Sequence, residues 1–120
     1  MIFNFTSNTR FYIFQDSVDM RKGIHSLYHI VQEAKEMNAL SGDSFVFIGK
    51  NRKSIKILRW QKEGFVLYYK KLELGQYSLP SASGGESFYE AKTDIVDRLV
   101  NAIKHKSTSN ELRTKAMISI

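Results

Sequence analysis

Two histidines, His25 and His29, stand four residues apart in the run HSLYH, the spacing at which two imidazoles share one side of a helix and could hold a metal ion. The glutamate that would complete a metalloprotease helix is missing, and His105, the third histidine, offers no evident third ligand. The pair flanks an apolar helical stripe, so the expectation is two partly buried core histidines and no metal. Asp16, Asp19, Asp43, Glu63 and Glu73 are the raw material for metal-dependent strand transfer, but their spacing gathers them nowhere. The chain has no cysteine, which excludes thiol nucleophiles, Cys-type zinc sites and disulfide chemistry. No nucleophile elbow, Walker loop or dinucleotide fingerprint occurs, and Gly84 and Gly85 lie in a serine-rich run instead of a strand-to-helix turn. These residues predict a protein with no catalytic centre, no cofactor and no small-molecule substrate.

Cationic side chains are the other chemistry on offer. The formal charge is +6, from 18 Lys and Arg against 12 Asp and Glu, and it is local. Residues 1–49 and 74–120 cancel one another, while residues 50–73 carry Lys50, Arg52, Lys53, Lys56, Arg59, Lys62, Lys70 and Lys71 against Glu63 and Glu73. Such a cluster either attracts a polyanion, as phosphate backbones or acidic protein surfaces are, or serves as a solvated face. A second basic site is MRKG, Met20 to Gly23. If the helix that follows starts at Met20, Arg21 and Lys22 fall in its first turn, where the macrodipole disfavours cations, and Gly23 sits just inside, where glycine costs about 1 kcal/mol. Two readings follow: an anion site built from backbone N–H groups and the two cations, or neutralisation of Arg21 by Asp16 or Asp19 with Gly23 permitting close packing.

The elements that must position these groups can be read from periodicity. Arg10–Phe14 predicts a short strand, and Ile24, Leu27, Tyr28, Val31 and Ala34 predict a helix over about Met20–Met37 with Asp19 as its N-cap. Asn38–Asp43 closes it. Phe45–Lys50, Ile55–Gln61 and Phe65–Leu72 then predict three strands joined by the hairpin-sized connections NRKS and KEG. Leu74–Pro80 offers a short edge strand and Ser81–Glu86 a flexible loop. Ile95, Val96, Leu99, Val100 and Ile103 predict a second helix, capped by Thr93 or Asp94. The expected fold class is α+β, an antiparallel β-meander of about 4–5 strands packed with two α-helices. A single domain is expected over 1–105, with 106–120 a polar C-terminal tail, either mobile or a loosely held helix.

A four-residue NRKS loop sets Lys50 opposite Ile55, Phe47 opposite Leu58 and Phe45 opposite Trp60, and a turn at Lys62 and Glu63 sets Trp60 opposite Phe65 and Lys56 opposite Tyr69. Both sheet faces are then mainly apolar, so each needs a helix as cover. Trp60, Phe47 and Leu58 are expected to lie in the core beneath the first helix. The same register gathers Lys50, Arg52, Lys53, Lys56, Lys70 and Lys71 around one hairpin tip, a basic β-ribbon of the kind that reaches nucleic acid. Arg21 and Lys22 join them as candidate nucleic-acid-binding residues.

At 120 residues and 42% hydrophobic, the chain can bury a core without staples. No segment approaches the roughly 20 apolar residues of a membrane span, and Met1–Arg10 lacks the charged-then-apolar order of a signal peptide. A soluble cytoplasmic protein is expected.

VDMRKG at Val18–Gly23, followed by LSGDSFVFIGKNRKSIKILRWQKEGFVLYYKKLELGQY at Leu40–Tyr77, closely resembles the TnpB accessory family of insertion sequence 66 elements, small proteins encoded beside the transposase. This family is distinct from the RNA-guided nuclease of the same name. The resemblance covers about residues 10–80 and does not extend to the last 40 residues. It implies a role in DNA transposition beside a transposase and a second accessory protein, and it carries no catalytic residues. Two mechanisms remain open: binding of element ends or target DNA through the hairpin tip and MRKG, or docking of the basic patch on the transposase or the other accessory protein.

Overall fold

A computed structural model describes residues 8–78 and 85–100. The elements run β1 (Phe11–Phe14), α1 (Ile24–Glu33), β2 (Ser44–Ile48), β3 (Ser54–Gln61), β4 (Gly64–Lys71), β5 (Phe88–Ala91) and α2 (Thr93–Val100). Among the described residues the strands form one sheet in the order β4-β3-β2-β1-β5. The α+β class and the β2-β3-β4 meander are as the periodicity predicts. The sheet is nonetheless mixed, because β1 pairs in parallel with β2 while β5 pairs antiparallel with β1. A parallel pair needs a crossover, and α1 supplies it. The expected tail at 106–120, the N-terminal run up to Ser7, and Ile103 lie outside the described residues.

Each face of the sheet is covered by a helix. On one, Phe45, Phe47, Leu58 and Phe88 pack against Leu27, Val31 and Ala34 of α1 and its exit. On the other, Phe11, Ile13, Val46, Ile48, Ile55 and Ile57 pack with Val96 and Leu99 of α2. That face also receives Leu72 and Tyr77, the latter on a segment predicted as an edge strand. Residues 74–78 form no strand. Burial pushes the Tyr77 hydroxyl well above the usual tyrosine range, and the neighbouring Tyr68 adds to the shift.

Several local expectations are corrected. The β2–β3 loop is Lys50-Asn51-Arg52-Lys53, one position earlier than NRKS, because the Gly49 N–H donates to the Ser54 carbonyl at 2.9 Å. Phe45 therefore faces Leu58 and Phe47 faces Lys56. A one-residue shift of the loop moves the register by two, so every side chain keeps its face. The β3–β4 turn is where it was expected, with Trp60 opposite Phe65 and Lys56 opposite Tyr69. Lys62 and Glu63 both adopt left-handed backbone (φ 47° and 66°), the conformation a two-residue hairpin turn of matching twist demands.

Phe47 and Leu58 are fully buried, but Trp60 is only half-buried and meets Phe65 edge-on at 5.0 Å. The shifted register explains it: the last β2–β3 pair joins Ser44 to Arg59, so Trp60 has no strand neighbour on the β2 side. His25 and His29 are exposed instead of partly buried. At about 100° per residue they fall on the side of α1 opposite Leu27 and Val31.

The first helix is shorter than its apolar pattern. Its N-cap is Gly23, not Asp19, and the Leu27 N–H donates to the Gly23 carbonyl at 3.0 Å. Asp19 instead closes a tight turn ahead of the helix, its Oδ1 accepting from the Arg21 N–H at 2.9 Å while its carbonyl accepts from the Lys22 N–H at 3.0 Å. Arg21 and Lys22 thus precede the helix instead of occupying its first turn, and Arg21 is paired with Asp19. At the other end the helix stops at Glu33, where Ala34 takes extended backbone (φ −86°, ψ 101°) with its N–H on the Val31 carbonyl at 3.1 Å, and Asn38 closes a later turn, its Oδ1 accepting from the Leu40 N–H at 3.0 Å. The short strand β5 carries no alternating run long enough to announce itself.

Candidate nucleic-acid interface

The two basic segments, nearly thirty residues apart in sequence, are neighbours in space. After β1 the chain passes beside the end of β2, where Val18 forms a parallel bridge to Gly49 and donates its N–H to the Ile48 carbonyl at 3.0 Å. The approach is close, since a Cβ at Gly49 would stand 3.0 Å from Met20 Cγ and oblige that side chain to shift. Lys56 then fastens the turn from beneath. Its Nζ donates to the carbonyls of Met20 and Lys22, both at 2.8 Å, and lies 4.8 Å from the centre of the Tyr69 ring. Lys56 is 7% exposed, so its ammonium has exchanged water for two carbonyls and an aromatic face.

The tip is braced on its other flank. The Leu72 N–H donates to the Lys53 carbonyl and the Tyr77 N–H to the Arg52 carbonyl, each at 2.6 Å, while Gln76 Nε2 donates to the Asn51 carbonyl at 2.8 Å. Arg52 holds left-handed backbone at φ 61° with its N–H on the Gly49 carbonyl at 2.9 Å, and Asn51 Oδ1 accepts from the Lys53 N–H at 3.0 Å. The tip is a fixed platform, not a projecting ribbon.

Of the predicted site residues, Lys22, Lys50, Arg52 and Lys71 are exposed and Lys53 is half-buried, all on or beside this platform. Among the described residues no carboxylate pairs with Lys22, Lys50, Lys53 or Lys71. Lys56 and Lys70 are buried, Lys70 at 2% exposure on the opposite face, where burial pushes its pKa down. Neither is placed to touch a macromolecule. Arg21 is held by Asp19, with Nε 3.1 Å from both carboxylate oxygens and the closest ion-pair approach 2.7 Å, yet 91% of its side chain remains exposed. Hydrogen bonds from the Arg21 side chain hold the Asp19 carboxyl down to about 2.

Between the turn and the tip lies an open groove of about 760 Å³, lined by Val18, Asp19, Met20, Lys50, Tyr69 and Lys71 among others. Tyr69 is a functional candidate that charge counting overlooked. Its signal was its place opposite Lys56, which the register already gave. No group of three or more His, Asp or Glu suited to a metal occurs among the described residues.

The profile of the IS66 Orf2 like protein family matches residues 9–110. The chain belongs to this family. It is a transposition-associated accessory protein of insertion sequence 66 elements, the membership its DMRKG turn and basic hairpin predicted. Similar curated proteins include Uncharacterized protein y4hO of Sinorhizobium fredii (strain NBRC 101917 / NGR234), 38% identical over 78 residues, which are 65% of this chain and 68% of that one. Uncharacterized protein y4jC of the same strain is 32% identical over 68 residues, 57% of this chain and 58% of that protein. No solved structure matches the chain. No described helix of this IS66 Orf2 like protein is long and apolar enough to cross a membrane.

Proposed function

We propose that this accessory protein binds the DNA of its element in the cytoplasm, through the basic face made by the hairpin tip and the turn before α1, and performs no catalytic step of its own. Its partners on this reading are the element's ends or target DNA, the transposase and the second accessory protein. One observation carries the reading: the Lys56 tether and the Val18–Gly49 bridge join two separate basic segments into one braced surface. Five cations, Lys22, Lys50, Arg52, Lys53 and Lys71, share that surface. Bringing like charges together is unfavourable unless an anion answers them, and a phosphate backbone supplies regularly spaced anions. Fixed carbonyl anchors hold the backbone that carries the cations, so only their side chains remain to be ordered on binding.

The test is a fluorescence-anisotropy titration of purified protein with element-end and scrambled duplexes over roughly 50–200 mM salt. If all five cations neutralise phosphates, log affinity falls against log salt with a slope of up to about −4.5. Changing Arg52 and Lys53 together to glutamine reduces that slope by up to about 2, weakens both duplexes alike and leaves the melting curve in place. Folded protein without salt-dependent DNA binding refutes the proposal. If the double change then reduces co-purification with the transposase, the patch serves an acidic protein surface instead.

A further inference from the structure

We infer that the groove between the turn and the tip holds an unpaired nucleotide, its base against Tyr69 and its phosphates beside Lys50 and Lys71, so that the protein engages single-stranded or locally opened DNA. This rests on the DNA-binding reading above and narrows its ligand. The groove's volume, about 760 Å³, falls in the range of about 300–1,000 Å³ common for small-ligand clefts. Its lining divides by chemistry: Val18, Met20 and Tyr69 offer apolar surface, and Lys50 and Lys71 offer positive charge. The carboxylate of Asp19 also lines it, but is engaged by the Arg21 guanidinium.

Tyr69 is the residue that distinguishes an unpaired base from a duplex. It is 44% exposed, whereas the aromatic residues facing α1, Phe45 and Phe47, are buried. Its cross-strand neighbour, Lys56, is drawn to the Met20 and Lys22 carbonyls, so the ring is fixed at the groove with a cation against it. In an intact duplex the base faces cover one another, and an exposed tyrosine gains nothing from them. An unstacked base presents a π-face, and aromatic platforms within basic grooves bind such bases with little regard to sequence. Major-groove reading by a β-ribbon needs an element that enters the groove. Here the tip is held down by Leu72, Gln76 and Tyr77, which leaves the groove beside it as the shaped feature.

The experiment measures the affinities of a short labelled oligothymidine strand and a blunt duplex, at one salt concentration, for wild type, Tyr69→Ala and Tyr69→Phe. Tyr69→Ala is expected to weaken oligothymidine binding about 5- to 150-fold, the loss typical of one stacked base. Tyr69→Phe keeps the ring and matches wild type, and all three proteins bind duplex alike. Unchanged oligothymidine affinity for Tyr69→Ala, with duplex binding and its salt dependence intact, overturns the nucleotide site and leaves the DNA-binding reading standing. Equal losses on both ligands assign Tyr69 a structural role and also overturn it. Failure of wild type to bind either DNA removes the broader reading and this one together.

Discussion

Lys56→Met tests whether the buried ammonium is what fastens the turn to the sheet. Methionine keeps most of the side chain's length and its apolar stem over Tyr69, while removing both hydrogen bonds to Met20 and Lys22. A hydrogen bond from a charged donor contributes about 1.5–3 kcal/mol, so two set an upper bound near 6 kcal/mol. Two effects lower it. Lys22 is exposed and Met20 half-buried, so water can reach the freed carbonyls, and the variant no longer pays to desolvate an ammonium. The net loss is expected at about 2–3 kcal/mol, a fall in Tm of about 8–12 °C for a domain of this size. Amide exchange adds a local readout. The N–H groups of Val18 and Lys22, bonded to Ile48 and Asp19, should exchange faster, while those of the β3–β4 ladder keep their relative protection. A Tm within about 2 °C of wild type, with unchanged exchange at Val18 and Lys22, would refute the tether.

Three further expectations follow from packing, backbone and charge. Phe47→Ala, at a fully buried site beneath α1, should cost about 3–5 kcal/mol, and Trp60→Ala, at the half-buried sheet margin, clearly less; denaturant melts that rank them the other way would show the register to be misassigned. Glu63→Gly should stabilise the β3–β4 hairpin by about 0.5–1 kcal/mol, since glycine holds φ 66° without the steric cost a side chain bears, and a lower Tm would argue against that turn. NMR titration of Asp19 should find its carboxyl near 2 instead of its ordinary 3.8. Because the folded value is depressed, the Asp19–Arg21 pair is intact above about pH 4 and is lost as pH falls through about 2; a midpoint near 3.8 would mean the pair does not form.

The parts of this fold legible in the sequence are those where one periodicity acts alone. The strands over 54–61 and 64–71, their turn, and the apolar faces needing two covers all follow from alternation and a two-residue connection. The ends of α1 were not legible, because apolar spacing continues past both. Its limits are set by local backbone geometry: the turn closed by Asp19 leaves Gly23 in extended backbone as the N-cap, and Ala34 returns to extended backbone at the other end. The strand β1 was legible, but its parallel pairing with β2 and the edge strand β5 were out of reach for another reason. The four residues of β5 show too little alternation to declare a strand, and parallel pairing across α1 leaves no local mark.

Lysine chemistry shows where charge counting stops being informative. Eight cations between residues 50 and 73 look alike in the sequence, and the register alone collects six of them at one tip. What separates them is depth. Lys56 and Lys71 both lie on the meander, but Lys71 closes the ladder opposite Ser54 and stays exposed, while Lys56 sits two residues deeper and must find partners. A buried ammonium persists only where hydrogen-bond acceptors replace its water, and the acceptors available were the carbonyls of the turn before α1. The lysine that looked like one more phosphate contact is thereby the residue that brings Lys22 to the hairpin. Its contribution to any polyanion site is positional. Removing it should therefore weaken DNA binding through displacement of Lys22, a loss that a second change of Lys22→Gln would not deepen.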